Sequence, residues 1–214
     1  MTPRLRTLLL AALGAVAAGS TPLLAVAAPA APTVSAADQA LVTKASAYLQ
    51  GLAAAQGRFV QTDARGRMTQ GTFYLKRPGK IRFEYDKPSG LLIVSDGANV
   101  KVQDSRLKTF DTYPLGKTPL SIFLAKQIRL DQGVVIERVT RTADGFAITA
   151  RDGRNRTAGA ITLAFADAPM RLKEWTVLDA QGGRTRVQLT SLQPAGALSD
   201  GLFVLRGKRG PSGG

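Results

Sequence analysis

Cysteine and histidine are both absent from the 214 residues. Without a thiolate or an imidazole, mechanisms built on either are excluded, and nearly all zinc and copper sites go with them. No disulfide can form, so stability has to come from packing, and no thiol is available for attachment of a lipid anchor. Acidic residues are scarce as well, 15 Asp and Glu against 29 Lys and Arg, a formal charge of +14. Such a balance suits an anionic partner, whether nucleic acid, an anionic membrane surface or an acidic protein. Nucleic acid fits poorly, because the basic residues are spread along the chain rather than gathered into a stripe with interleaved aromatics.

What remains for catalysis is thin. A paired-carboxylate glycosidase would have to draw on Glu84, Asp86, Glu137 or Glu174. Glu84 and Asp86 fall on the polar side of an alternating segment, where a solvated charge is the simpler reading. Lys44 and Ser46 have the wrong spacing for a Ser-Lys dyad, and no glycine-rich loop leads from a strand into a helix. The residues favour binding over enzymatic activity, with neither a cofactor nor a metal.

Long hydrophobic runs are confined to the start. Arg4 and Arg6 precede the run Leu8 to Ala18, and Ala25-Val26-Ala27 has the small-x-small form that precedes a signal-peptidase cut. Residues 1–27 are therefore expected to be a cleavable signal peptide. Gly14, Gly19, Ser20 and Pro22 interrupt the run well short of the ~20 apolar residues a membrane span needs. Export is expected to place the mature chain in the periplasm or outside the cell, with 27 basic and 15 acidic residues and a charge of +12 once Arg4 and Arg6 are removed.

The rest, 44% hydrophobic over the whole chain, is enough for one domain spanning 28–214. Its small, proline-rich opening, 28–35, and its basic, glycine-rich end, 206–214, are expected to be flexible. Between them, Ser35-x-x-Asp38 resembles a capping box, and Leu41, Ala45, Tyr48, Leu49 and Leu52 follow at helical spacing, so an amphipathic helix is expected to close at Gly57. From Arg58 the period becomes two: Phe73 and Leu75, then Ile81, Phe83 and Tyr85, alternate with polar neighbours. Strands are also expected at LLIVS, NVKVQ, KTFDTY, VVIERVT, GFAITAR, GAITLAFA, LKEWTVLD, TRVQLTSLQ and LFVLRG, with turns at Asp96-Gly97, Asp144-Gly145, Asp152-Gly153, Gln181-Gly182-Gly183 and Asp200-Gly201. One segment breaks the rhythm: Thr118 as N-cap, Pro119 at the first helical position, then Leu120, Phe123, Leu124 and Ile128 on one face predict a short helix.

A curved sheet carrying these rings could be simply a core, or it could enclose more space than one small helix fills and hold an apolar ligand. Arg77, beside Pro78 where a strand must end or bend, could equally meet a phosphate, a carboxylate, the free carbonyls of a helix end, or only water.

The strings GTFYLKRPGKIRFEYDKPS, IVSDG and YPLGKTPLSIFL, followed by the W, QG and terminal LF elements, resemble the outer-membrane lipoprotein carrier family, LolA, from about Leu41 to Phe203. The resemblance implies a mainly β fold with some helix: an unclosed antiparallel β-barrel of ten or eleven strands, an N-terminal helix and a short helical lid. It also implies a monomer that takes acylated lipoproteins from an inner-membrane ABC transporter and passes them to an outer-membrane receptor. On this resemblance Arg77 ties the closed lid by hydrogen bonds, and Pro119, Leu120, Phe123 and Leu124 form the lid. Leu49, Leu52, Phe59, Phe73, Leu75, Ile81, Phe83, Tyr85, Leu163 and Phe165 are expected to line the acyl-chain cavity. Two departures stand out: Ser121 sits amid the apolar lid residues, and Ile81 stands where a larger aromatic is often found. A carrier of a different lipid on the same barrel, and a basic module binding anionic polymer at the envelope, are the competing readings.

Overall fold

The computed structural model describes residues 34–130 and 132–207. The expected signal peptide and most of both flexible ends lie outside the described residues. The first helix, α1 (Ala36–Gly51), opens as its sequence suggests: Ser35 Oγ accepts the Asp38 N–H at 3.1 Å and donates to the Asp38 carboxylate at 2.7 Å. Its buried stripe is Val42, Ala45 and Leu49.

The helix stops at Gly51, six residues before the expected Gly57. Ala54 to Gly57 instead begin strand β1 (Ala54–Thr62), although alanine is the best helix former. Tertiary pairing decides: Ala54 to Gly57 lie opposite Lys76 to Phe73 of β2 (Met68–Lys76) on one side. On the other side Ala55 and Gln56 face Pro194 and Gln193 of the two-residue β12 (Gln193–Pro194). Gly57 is there for closeness, since a Cβ on it would lie 2.0 Å from the carbonyl oxygen of Ser191.

The chain continues through β3 (Lys80–Tyr85), β4 (Leu91–Asp96), β5 (Asn99–Asp104) and β6 (Thr109–Pro114). A 3-10 turn (Leu115–Lys117) and a one-turn helix, α2 (Leu120–Phe123), interrupt it before β7 (Val134–Thr142), β8 (Gly145–Asp152), β9 (Ala160–Asp167), β10 (Met170–Leu178) and β11 (Arg184–Leu189). All neighbours are antiparallel, in the order β6-β5-β4-β3-β2-β1-β11-β10-β9-β8-β7. The sheet is thus an unclosed barrel with β6 and β7 as its two edges, joined by the segment that carries α2. Inward residues form one continuous core.

One expected strand is absent. LFVLRG forms the end of a 3-10 turn (Asp200–Phe203) and then an irregular run. Its apolar residues find a partner other than a sheet edge: Phe203 and Leu205 bury against Val94, Tyr74 and Leu92 on the outer face of the barrel. This C-terminal strap is pinned by Lys76 and Lys80, both bonded to Asp200, at 2.7 and 2.9 Å, and by Arg82, which donates to the Leu202 carbonyl at 3.0 Å.

Candidate functional site

Period-two alternation aims the large side chains of nearly every strand at one concave face. Phe73 and Leu75 of β2 lie opposite Phe83 and Ile81 of β3, and Trp175 of β10 lies opposite Val187 of β11 and Leu163 of β9. The rings touch in sequence around the interior. Phe59 meets Phe83 at 5.2 Å and Tyr85 at 5.1 Å, both edge to face, and Phe83 meets Trp175 at 6.0 Å. At the far side Phe146 stacks on Phe165 at 5.3 Å, and Tyr48 of α1 approaches Phe165 edge-on at 6.1 Å. Leu49, Leu52, Phe59, Phe73, Leu75, Ile81, Phe83, Leu163 and Phe165 are all buried in this one cluster, with Tyr85 half-buried against it. Tyr85 donates its hydroxyl to Gln61 Oε1 at 2.5 Å, and burial pushes its pKa up.

The sequence reading missed several members. Trp175, Phe146 and Ile148 continue the same alternation into β10 and β8. Strand β10 carries an irregularity between Leu172 and Glu174, which brings Leu172 and Trp175 to the same face despite their odd spacing.

The α2 segment covers the open side. Pro119, Ile122, Phe123, Leu124 and Ile128 are buried, while Leu120 is only half-buried. Thr118 is not the N-cap: its hydroxyl turns back to the Leu115 carbonyl at 2.8 Å, and Pro119 occupies the cap position with no side-chain bond. Phe123 stacks on Trp175 at 5.4 Å with the rings 26° apart, so the lid inserts its largest ring into the aromatic lining. Hydrogen bonds fasten its edges. The Gly79 N–H donates to the Leu124 carbonyl at 2.8 Å, and Gln50 of α1 accepts the Ile128 N–H at 2.8 Å. Asn155 donates to the Gly116 carbonyl at 3.2 Å. Gly79 has φ of 75° and sits where a Cβ would fall 2.6 Å from Gly97 Cα, so the corner needs glycine twice over.

Arg77 follows Leu75 on the inward face, just past the end of β2. Its backbone N–H donates to the Ala53 carbonyl at 2.8 Å, and its guanidinium carbon lies 5.6 Å from the centre of the Phe123 ring. The side chain therefore meets the lid through a ring face. Nε and Nη2 are buried and have no hydrogen-bond partner. Burial lowers the guanidinium pKa to about 10, which leaves it protonated at neutral pH.

The four carboxylates that a glycosidase would need are all engaged in ion pairs: Glu84 with Arg82, Asp86 with Arg58, Glu137 with Arg151 and Glu174 with Arg186. A groove of about 720 Å³ runs between the last turns of α1 and strands β10 and β11, with Tyr48, Leu52, Leu172, Leu189 and Leu192 among its apolar walls and Arg171 and Lys173 at its side. No helix among the described residues is long and apolar enough to cross a membrane.

Residues 50–206 match the profile of a family described as outer membrane lipoprotein carrier protein LolA. An outer-membrane lipoprotein carrier protein of Methylobacillus flagellatus is 28% identical over 171 residues, 76% of this chain and 82% of that one. One from Chromobacterium violaceum is 26% identical over 197 residues, 88% and 94%, and one from Xanthomonas campestris pv. campestris is 30% identical over 155 residues, 67% and 73%. Among solved structures, a LolA superfamily protein from Nitrosomonas europaea superposes with a TM-score of 0.45 at 11% identity, covering 78% of this chain and 97% of that one. The profile match takes in every strand from β1 to β12 together with the lid and the strap, and on that extent the chain belongs to the outer-membrane lipoprotein carrier family.

Proposed function

We propose that this chain is a periplasmic carrier that shields the acyl chains of lipoproteins inside its barrel, moving them from the inner membrane to the outer membrane without catalysis. One observation carries the reading: Phe123 fills the aromatic interior from a segment that belongs to neither the sheet nor α1. A core needs no removable occupant, whereas a carrier does. Leu49, Phe59, Phe83, Phe165 and their neighbours are the walls an acyl chain would touch once Ile122, Phe123 and Leu124 withdraw. Residues 1–27 supply export, an inner-membrane transporter would load the carrier, and an outer-membrane acceptor would unload it.

Burying an acyl chain gains about 0.8 kcal/mol per methylene, on the order of 10 kcal/mol for one long chain. Unopposed, that gain would trap the cargo. Removing Phe123 from Trp175 and breaking the hydrogen bonds of Gly79 and Gln50 is subtracted from it, leaving a grip loose enough for onward transfer.

The Arg77 contact is two-sided. A cation over a desolvated ring favours the closed lid by about 1–2 kcal/mol. Two buried N–H groups without partners cost roughly 1–3 kcal/mol each. The balance leaves the lid lightly held.

The test is release from spheroplasts: purified protein should carry a newly made triacylated lipoprotein into the soluble fraction as a complex that survives high salt. A complex dispersed by salt would point instead to charge-driven binding through the exposed Lys and Arg, and no release by a folded protein that still binds a hydrophobic dye would point to a different lipid.

A further inference from the structure

Arg77 Nε and Nη2 lie side by side along one edge of the guanidinium plane, the edge that elsewhere grips two oxygens at once. Both are buried and neither has a partner. Buried donors are nearly always satisfied, so a pair left open on one edge asks what they are kept for. The closed lid supplies nothing to them: its contact with Arg77 is the Phe123 ring, and the nearby Leu124 carbonyl is taken by the Gly79 N–H. The alternation Phe73, Leu75, Arg77 sets this edge on the inward face at the end of β2, beside the segment that covers the interior.

We propose that the Nε/Nη2 edge of Arg77 receives the ester carbonyls of the cargo. This rests on the carrier reading above and adds to it the part of the cargo that is recognised. With acyl chains lying along Phe73, Leu75 and Phe83, their ester groups fall where the apolar lining gives way to the corner, and Phe123 has left that place free. The oxygens are neutral acceptors, so the cargo brings no second charge into the site. The arginine remains protonated, and its donors are desolvated before the cargo arrives. Recognition then reads the junction between chain and glycerol, a feature common to all diacylglyceryl proteins whatever polypeptide follows.

The experiment compares two synthetic lipopeptides of equal chain length, a dipalmitoyl-glyceryl cysteinyl peptide and its dihexadecyl ether analogue, which differ in the ester carbonyls. Each is titrated against purified protein holding a hydrophobic dye. The native protein should bind the ester form roughly tenfold more tightly, as expected for a hydrogen bond to a charged donor. Arg77→Leu should bind both forms equally, and Arg77→Lys, which keeps the charge without the fork, should fall between. Equal binding of the two forms by the native protein, or an ester preference that survives Arg77→Leu, overturns the proposal while leaving the carrier intact. Arg77-dependent binding of an ether-linked phospholipid in place of an ester preference would also overturn it, because the edge would then be reading phosphate. Binding of neither lipopeptide by the folded native protein would remove the carrier reading itself.

Discussion

Phe123 and Phe165 are both buried phenylalanines in the same cluster, yet one stands on the short helix α2 and the other on strand β9. Truncating Phe165, which sits on β9 between Phe146 and Leu172, removes packing from the sheet itself and should cost about 3–5 kcal/mol of global stability. On the proposed carrier mechanism, truncating Phe123 loosens a segment that leaves locally. Phe123→Ala should lower the melting temperature less than Phe165→Ala while raising hydrophobic-dye binding several-fold, and equal effects on both readouts would mean that the lid is ordinary core. Gly57→Ala tests a different kind of residue. Its added methyl would meet the Ser191 carbonyl at 2.0 Å, so one strand has to shift, at about 1–3 kcal/mol by chemical denaturation. Arg77 was partly legible in the sequence: counting by twos from Phe73 places it inward. What alternation cannot supply is its neighbours, because Phe123 and Ala53 reach it from segments 46 and 24 positions away.

At the scale of elements, the strands were readable because each half-buried strand writes its own pattern, and the turns because Asp-Gly pairs mark them. The helix end was not. Ala54 and Ala55 favour helix locally, and only the presence of β2 and β12 on either side turns them into a strand. LFVLRG reads as a strand for the same local reason, yet its partners lie on the outer face of β4 rather than at an edge. The lid, by contrast, announced itself by breaking the period, although Ile122 rather than Leu120 proved to be its more buried neighbour of Phe123.

Two element-level contacts can be tested. Gln50 joins α1 to the far end of the lid through the Ile128 N–H. Gln50→Ala should speed hydrogen exchange of the Ile128 amide by roughly fivefold, the loss of about 1 kcal/mol, with strand amides unchanged. The strap is an electrostatic case. Hydrogen bonds and charge from Lys76 and Lys80 hold the Asp200 carboxyl at about 2, below the ~3.9 of an unfolded chain. A lowered acid stabilises the bound form above its unfolded pKa and ceases to as pH falls through the lower one. The strap should therefore hold firmly above about pH 4 and loosen toward pH 2, seen as rising exchange at Leu202 and Val204. Asp200→Asn should abolish that pH dependence.

At the scale of the molecule, charge and cavity point to different roles. Acyl-chain burial is insensitive to ionic strength, whereas approach of a chain of net charge +14 to an anionic surface is not. Raising salt should slow the transfer of cargo from anionic vesicles to the carrier while leaving the affinity of the soluble complex unchanged. A loss of affinity would place the charges at the cargo site instead.

The two unpaired edges, β6 and β7, have a mechanical consequence. A fully closed barrel has its girth fixed by strand number and stagger, and widening it means tearing a ladder of hydrogen bonds. Here the circumference is broken at one point, and the 3-10 turn and α2 span the break. Were that bridge to lift, the wall would be free to spread like a split collar, each hinge between strands giving a little, with no rung of the sheet lost. On the proposed carrier mechanism, such a wall would fit itself to cargo of different girth.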